Sequence, residues 1–190
     1  HHVPAYCFRR ELTVDEETPA TLRVAVCGLY ELYLNGERLT RGLLSPYLSN
    51  PEDLVYYDEY KITLQKGANA VGLILGNGFV NNPGGHIWDF NKASFRSAPK
   101  MALEVVGADG TVLLTGDTSF KVAPSPFLWD DYRFGEVYDA NFALDGWNLP
   151  DFDDAEWEEI TVPGVWQMQK DYTKPWYYAN SFPNCISVDK

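Results

Sequence analysis

Between Ala20 and Leu34 the apolar side chains fall on every second residue. Leu22, Val24, Val26, Tyr30, Leu32 and Leu34 take even positions, while Arg23, Glu31 and Tyr33 take odd ones. Alternation over this length describes one long extended strand with a single buried face. It excludes an amphipathic helix, whose apolar stripe recurs every three or four residues. Gly28 sits at a core-facing position of the run, where a missing side chain points to a bulge or a close backbone approach. The run ends at Asn35-Gly36. This dipeptide is preferred in a type I′ turn because both central residues take positive φ. Glu37, Arg38 and Leu39 begin the return strand.

The rest of the chain repeats the strand-and-turn theme. Leu54–Thr63 is rich in aromatic and β-branched residues and reads as a strand, followed by a turn at Lys66–Asn69. Ala70–Leu75 is apolar on both faces, as expected of a strand between two covered layers. Met101–Val106 and Thr111–Leu114 flank Ala108-Asp109-Gly110 as a second hairpin, and Ser119–Ala123 is a further strand. No stretch keeps a helical apolar period for three turns. The expected fold is all-β, a two-sheet jelly-roll β-sandwich of galactose-binding-like type. Leu22, Val24, Val26, Leu32, Leu34, Val71, Leu73 and Leu75 are expected in its core. Residues 1–19 are expected as an N-terminal arm or edge strand, 20–165 as the sandwich, and 166–190 as a tail or a linker to a further domain.

Charge narrows the function classes. The net charge is −12, and residues 130–159 hold eleven acidic residues against Arg133 alone. Nucleic-acid affinity needs clustered Lys and Arg, so neither a nucleic acid nor an anionic membrane surface is an expected partner. No apolar run approaches the length of a membrane helix. Cys7, Cys27 and Cys185 are odd in number and widely spaced, which excludes a disulfide framework and a zinc-ligand spacing. One bridge, Cys7 to Cys185, is the pairing considered. There is no signal peptide, as in an already processed secreted protein, and His1-His2 reads as a tag remnant or a cut from a longer chain. A periplasmic or extracellular location is expected ahead of a cytoplasmic one.

Catalytic patterns are scarce. Histidine occurs only at His1, His2 and His86, and neither a G-x-S-x-G elbow nor a phosphate-binding glycine loop is present. The carboxylates of the acidic stretch could in principle pair for glycoside hydrolysis, but most acidic residues in so acidic a chain are solvated. Asp151-Phe152-Asp153-Asp154 lacks the spacing of a calcium loop, and reads as turn and cap residues before a short helix at Ala155–Trp157. No cofactor is expected, with calcium the one ion considered.

Binding chemistry is better represented. Residues 76–99 form a long loop rich in Gly, Asn and Pro, and long loops concentrate function. Aromatic faces stack on sugar rings, and amides both donate to and accept from hydroxyls. The candidate carbohydrate-contacting residues are Asn77, Phe79, Asn81, His86 and Trp88, with Asp58 and Asp139 as partners from neighbouring strands. The alternative for the same aromatics is covering the open end of the sandwich or an interdomain contact.

Several motifs, taken in order, resemble the N-terminal β-sandwich of bacterial α-L-rhamnosidases. They are Leu29–Gly36 (LYELYLNG), Leu44-Ser45-Pro46, Val55-Tyr56-Tyr57 with Ile62-Thr63, Gly67–Ala70 and Leu75–Phe79 (LGNGF). Asp109-Gly110, Ser119-Phe120-Lys121, Gly135–Ala140 (GEVYDA), Gly146-Trp147 and Phe152-Asp153-Asp154 with Trp157 complete the set. Departures are Phe79 in place of a tryptophan, Lys61 in place of an aspartate, and Ser49–Asp53 where an Asp-Tyr pair often stands. The resemblance implies a non-catalytic accessory module. Its hydrolase partner would be an (α/α)6 catalytic domain of the same polypeptide that inverts configuration, and a rhamnose-containing glycan would be its ligand. Some relatives of this sandwich bind rhamnose with calcium. Two alternatives are the similar jelly-roll module of β-galactosidase-like glycosidases and a free-standing lectin.

Overall fold

The computed structural model describes residues 3–50, 52–82, 89–160 and 186–187. In chain order the strands are β1 (Tyr6–Val14), β2 (Thr18–Cys27), β3 (Leu29–Leu34), β4 (Glu37–Arg38), β5 (Tyr57–Leu64) and β6 (Gly67–Gly76). They continue as β7 (Lys100–Gly107), β8 (Val112–Thr115), β9 (Lys121–Pro124), β10 (Phe127–Asp131), β11 (Gly135–Tyr138), β12 (Glu158–Glu159) and β13 (Ile186–Ser187). One sheet runs β12-β9-β1-β6-β3-β4, the other runs β13-β7-β2-β5 with β8 also on β7, and β10-β11 form a separate ribbon. Pairings in both sheets are antiparallel. Helix is confined, among the described residues, to two short 3-10 turns. The fold is a β-sandwich.

The expected single strand Ala20–Leu34 is corrected here to two strands in two different sheets. Only Gly28 separates β2 from β3, and the chain crosses from one layer to the other at that residue. Gly28 has φ of 141°, and a Cβ on it would stand 2.5 Å from the carbonyl oxygen of Gly76. Of the two readings for Gly28, close backbone approach is the one observed. The inward parity survives the crossing, so Leu22, Val24 and Val26 meet Tyr30, Leu32 and Leu34 in one core. All eight expected core residues are in that cluster, joined by Phe8, Met101, Leu103, Val105 and Phe120. The Asn35-Gly36 turn has φ of 50° and 83°, as a type I′ turn demands, and joins β3 to β4.

β1, expected as an arm or an edge, lies inside the larger sheet between β6 and β9. Its outer face carries Arg9, whose side chain is only 1% exposed. Arg9 is buried because the 147–154 segment lies over it. Nε donates to the carbonyl of Trp147 (2.9 Å), Nη2 to the carbonyl of Leu149 (3.0 Å), and Nη1 to Asp154, while Nη2 also reaches Glu11. The guanidinium stands 5.4 Å over the Phe152 ring. Lys121 holds the other Asp154 oxygen at 2.7 Å. Trp147 stacks on Trp157 and meets Tyr33 edge-on, and Gly72 of β6 has no room for a Cβ because Trp147 would be 2.8 Å away. That cover is why Ala70–Leu75 is apolar on both faces. Ala155–Trp157 forms a turn closed by Trp157 N–H on the Asp154 carbonyl (3.1 Å), and not the expected short helix. The Cys7–Cys185 pairing and the 166–185 tail lie outside the described residues.

Candidate functional site

At the end of the sandwich where the chain changes sheets there is an open cleft of about 1020 Å³. Cys27, Gly28 and Leu29 line it from the crossover, and Tyr47, Leu48, Asn50 and Glu52 line it from the loop after β4. Phe79, Phe90, Phe95 and Tyr132 supply its aromatic wall. Phe79 meets Phe90 edge-on at 5.7 Å and Tyr132 at 4.4 Å between ring centres, so the wall is one packed cluster. Among the described residues, Phe79 is the one expected site residue that lines this cleft.

The asparagines below it serve the fold. Asn77 and Asn81 are 1% and 2% exposed. The Asn77 amide nitrogen donates to the Val3 carbonyl (2.6 Å) and to Asp130 (2.8 Å), and its backbone N–H donates to the other Asp130 oxygen (2.7 Å). The Asn81 amide nitrogen donates to the Asn77 side-chain oxygen at 2.7 Å. These bonds tie β10 and the N-terminal segment to the end of β6. A hydroxyl ligand would have to break that knot to reach either amide.

Asp58 and Asp139 lie on separate elements. Asp58 faces inward from β5 and accepts from the Tyr30 hydroxyl, which stands 2.8 Å from the Tyr60 hydroxyl. The trio links the two sheets. Burial drives the Tyr30 phenol far above its ordinary range, and the bonds to Asp58 and Tyr60 push in the same direction. Asp139 caps a 3-10 turn by accepting from the Asn141 backbone (3.0 Å) and side chain (2.8 Å). His86 and Trp88 lie outside the described residues.

The remaining chemistry-bearing groups are placed as follows. Burial pushes the Cys7 thiol up to about 12, and it raises Cys27 as well, against the opposing charge of Lys100. Thiols shifted that way are poor nucleophiles at neutral pH. Burial raises the Asp154 carboxyl, but hydrogen bonds from Lys121 and Arg9 outweigh it and leave it below the ordinary carboxylate range. Among the described residues no three His, Cys, Asp or Glu side chains are grouped to hold a metal ion. The arrangement offers an aromatic recess and exposed apolar loops.

Sequence reasoning had no means to find Tyr47, Asn50, Glu52, Phe95 and Tyr132 as cleft residues. They come from three loops brought together only by the crossover. Their advance signals are the aromatic content of 15% and, for Phe95, its place in the 76–99 loop.

Known proteins share this fold. An alpha-L-rhamnosidase of Formosa agariphila is 34% identical over 162 residues, covering 79% of this chain and 17% of that protein. The solved alpha-L-rhamnosidase of Streptomyces avermitilis, complexed with L-rhamnose, superposes with a TM-score of 0.71 at 27% identity, over 92% of this chain and 19% of that one. The alpha-L-rhamnosidase structure from Dictyoglumus thermophilum gives 0.70 at 29% identity, over 88% and 20%. The chain thus spans about a fifth of the length of the relatives it matches. Residues 16–175 match the family described as the Alpha-L-rhamnosidase N-terminal domain, and the chain belongs to that family.

Proposed function

We propose that this chain is a non-catalytic accessory domain of an alpha-L-rhamnosidase and braces the catalytic part of the same polypeptide. The observation that carries the reading is the apolar surface left bare at one end of the sandwich. Leu43 and Tyr47 are each 81% exposed and Phe134 is 70% exposed, with Leu44, Leu48, Val137 and Tyr138 beside them in sequence. A self-sufficient domain rarely presents so many large apolar side chains on neighbouring loops, whereas a domain with a covalent neighbour does. The polar groups expected to meet a ligand at Asn77 and Asn81 are used internally. The experiment compares the whole polypeptide with the isolated chain on an aryl α-L-rhamnoside. Turnover is expected from the whole polypeptide alone. Turnover by the isolated chain, abolished by Glu136→Gln or Asp139→Asn, would overturn the proposal.

Carbohydrate contact is a second reading, favoured by the cleft itself. Phe79, Phe90 and Tyr132 offer ring faces, with Asn50 and Glu52 within the same recess. A monosaccharide buries little area, so its Kd should be on the order of 0.1–1 mM. NMR titration with L-rhamnose, with and without calcium, checks this: shifts at Phe79 and Tyr132 support contact, and unchanged spectra at tens of millimolar leave bracing alone.

A further inference from the structure

We infer that the β10-β11 ribbon is the docking element of this domain, received by a surface of the same polypeptide that is apolar at its centre and rimmed with Lys and Arg. The inference rests on the accessory reading and names the surface through which bracing acts. The ribbon is a two-stranded sheet by itself, held to the sandwich through β10 and through the tip-loop ring of Tyr132, which meets Phe79 at 4.4 Å. At the base Ala5 N–H donates to the Phe127 carbonyl (3.1 Å), near the tip Asp130 accepts from Asn77, and within the ribbon Phe127 packs edge-on against Tyr138 at 5.2 Å. An isolated hairpin is marginal in water, and one that persists needs a hydrophobic face covered.

β11 and the ribbon tip keep their apolar residues bare. All four residues of β11 are exposed, Val137 at 54%, and Phe134 at the tip is 70% exposed. β11 pairs with β10 on one side, and no strand among the described residues pairs on the other. Such an edge, exposed on both faces and carrying Val137 and Tyr138, is a surface that proteins normally shield. At the tip Asp131 is buried, and its Oδ1 accepts from the backbone N–H groups of Arg133 (2.8 Å) and Phe134 (2.9 Å). Its Oδ2 is buried with no hydrogen-bond partner among the described residues.

Charge selects the occupant. Residues 128–145 carry Asp130, Asp131, Glu136, Asp139 and Asp145 against Arg133. Two copies of the ribbon would set acidic rims against each other, so a second copy of this chain is disfavoured. A basic rim around an apolar patch satisfies both the charge and the bare side chains. The relatives, about five times as long as this chain, have the room to supply it within one polypeptide.

The test uses the whole polypeptide and reads amide hydrogen exchange at Glu136–Tyr138. Slow exchange there is expected. The double variant Phe134→Ser, Val137→Ser should speed it by about tenfold or more, the loss of protection that follows when a docked element opens. Glu136→Lys, an exposed charge reversal that spares the ribbon's packing, should act in the same direction and lose its effect in high salt. Exchange in β2 and β6 should stay unchanged, which shows that the sandwich still folds. Fast exchange at Glu136–Tyr138 in the unsubstituted polypeptide, or variants without effect, overturns the docking role. Protection at Tyr47 and Leu48 in place of the ribbon leaves bracing standing through the cleft side. Protection at neither removes bracing as well. Protection that grows with protein concentration points to a second copy and also overturns the inference.

Discussion

The two outer faces of the sandwich begin from the same alternating pattern and end in opposite states. On the five-stranded sheet the outward charges form a wet ladder, beside a small buried patch at Ala25 and Ala102. Arg23 bonds Glu59 (2.9 Å) and Glu104 (3.0 Å), and Lys61 bonds Glu59 (2.7 Å) and Thr21 (3.1 Å). On the six-stranded sheet the outward Arg9 is sealed under the 147–154 segment with its guanidinium donors bound to carbonyls and carboxylates. An arginine on an outward strand position is thus a solvated charge on one face and the centre of a buried joint on the other. The difference lies wholly in whether a distant segment returns to cover it.

The comparison can be broken at Arg9 first. Arg9→Ala strips the donors from two carboxylates and the covering carbonyls, and should cost about 3–5 kcal/mol in denaturant unfolding. Arg9→Lys should recover little, because an ammonium cannot reproduce the planar fork. A loss below about 1 kcal/mol would place the covered face in the same class as the ladder.

Acid should reproduce part of that loss. The folded Asp154 carboxyl sits below its unfolded value, so its contribution is present above the ordinary carboxylate range. That contribution is lost as pH falls from there through the depressed folded value. Glu59 is depressed too, chiefly by Lys61 and then Arg23, but it lies exposed and screened. Urea midpoints measured from neutral pH downward should therefore fall, and should fall less steeply in Arg9→Ala.

Gly72→Ala probes the cover without touching charge. The added Cβ meets Trp147, and a displacement of the indole should cost about 1–3 kcal/mol. Quenching or a shift of tryptophan fluorescence in the folded variant should accompany it. Arg23→Ala, on the open face, is the smallest effect: about 0–1 kcal/mol, vanishing as salt is raised. A salt-independent loss there would mean that the ladder is also covered.

What could be read in advance follows the same division. The Asn35-Gly36 turn, the even-numbered core and the doubly apolar Ala70–Leu75 were legible because each shows itself in a short run of residue types, whatever distant segment packs on it. The corner at Gly28 was hidden because the chain keeps its inward parity while changing sheets. Arg9 was hidden because alternation reports which way a side chain points and says nothing of what arrives later. Asn77 and Asn81 carried the right chemistry for a sugar, yet the amides are bound to Val3, Asp130 and each other. Residue type told what those groups can bond; only the fold told what they do bond.

The Arg9 joint also sets a timetable for synthesis. Its carboxylate partner Asp154 lies 145 residues downstream. At about 5–20 residues per second, the ribosome delivers that partner roughly 7–30 s after Arg9. During that interval β1 and β6 have nothing over their outer face, and a nascent chain with bare apolar β surface invites chaperones or neighbouring nascent chains. A stop codon between residues 139 and 147 would leave that face permanently open, although β1 to β11 would already have been made. Truncated translation products of this domain should be insoluble for that reason, and their solubility should return abruptly once the message extends through Asp154.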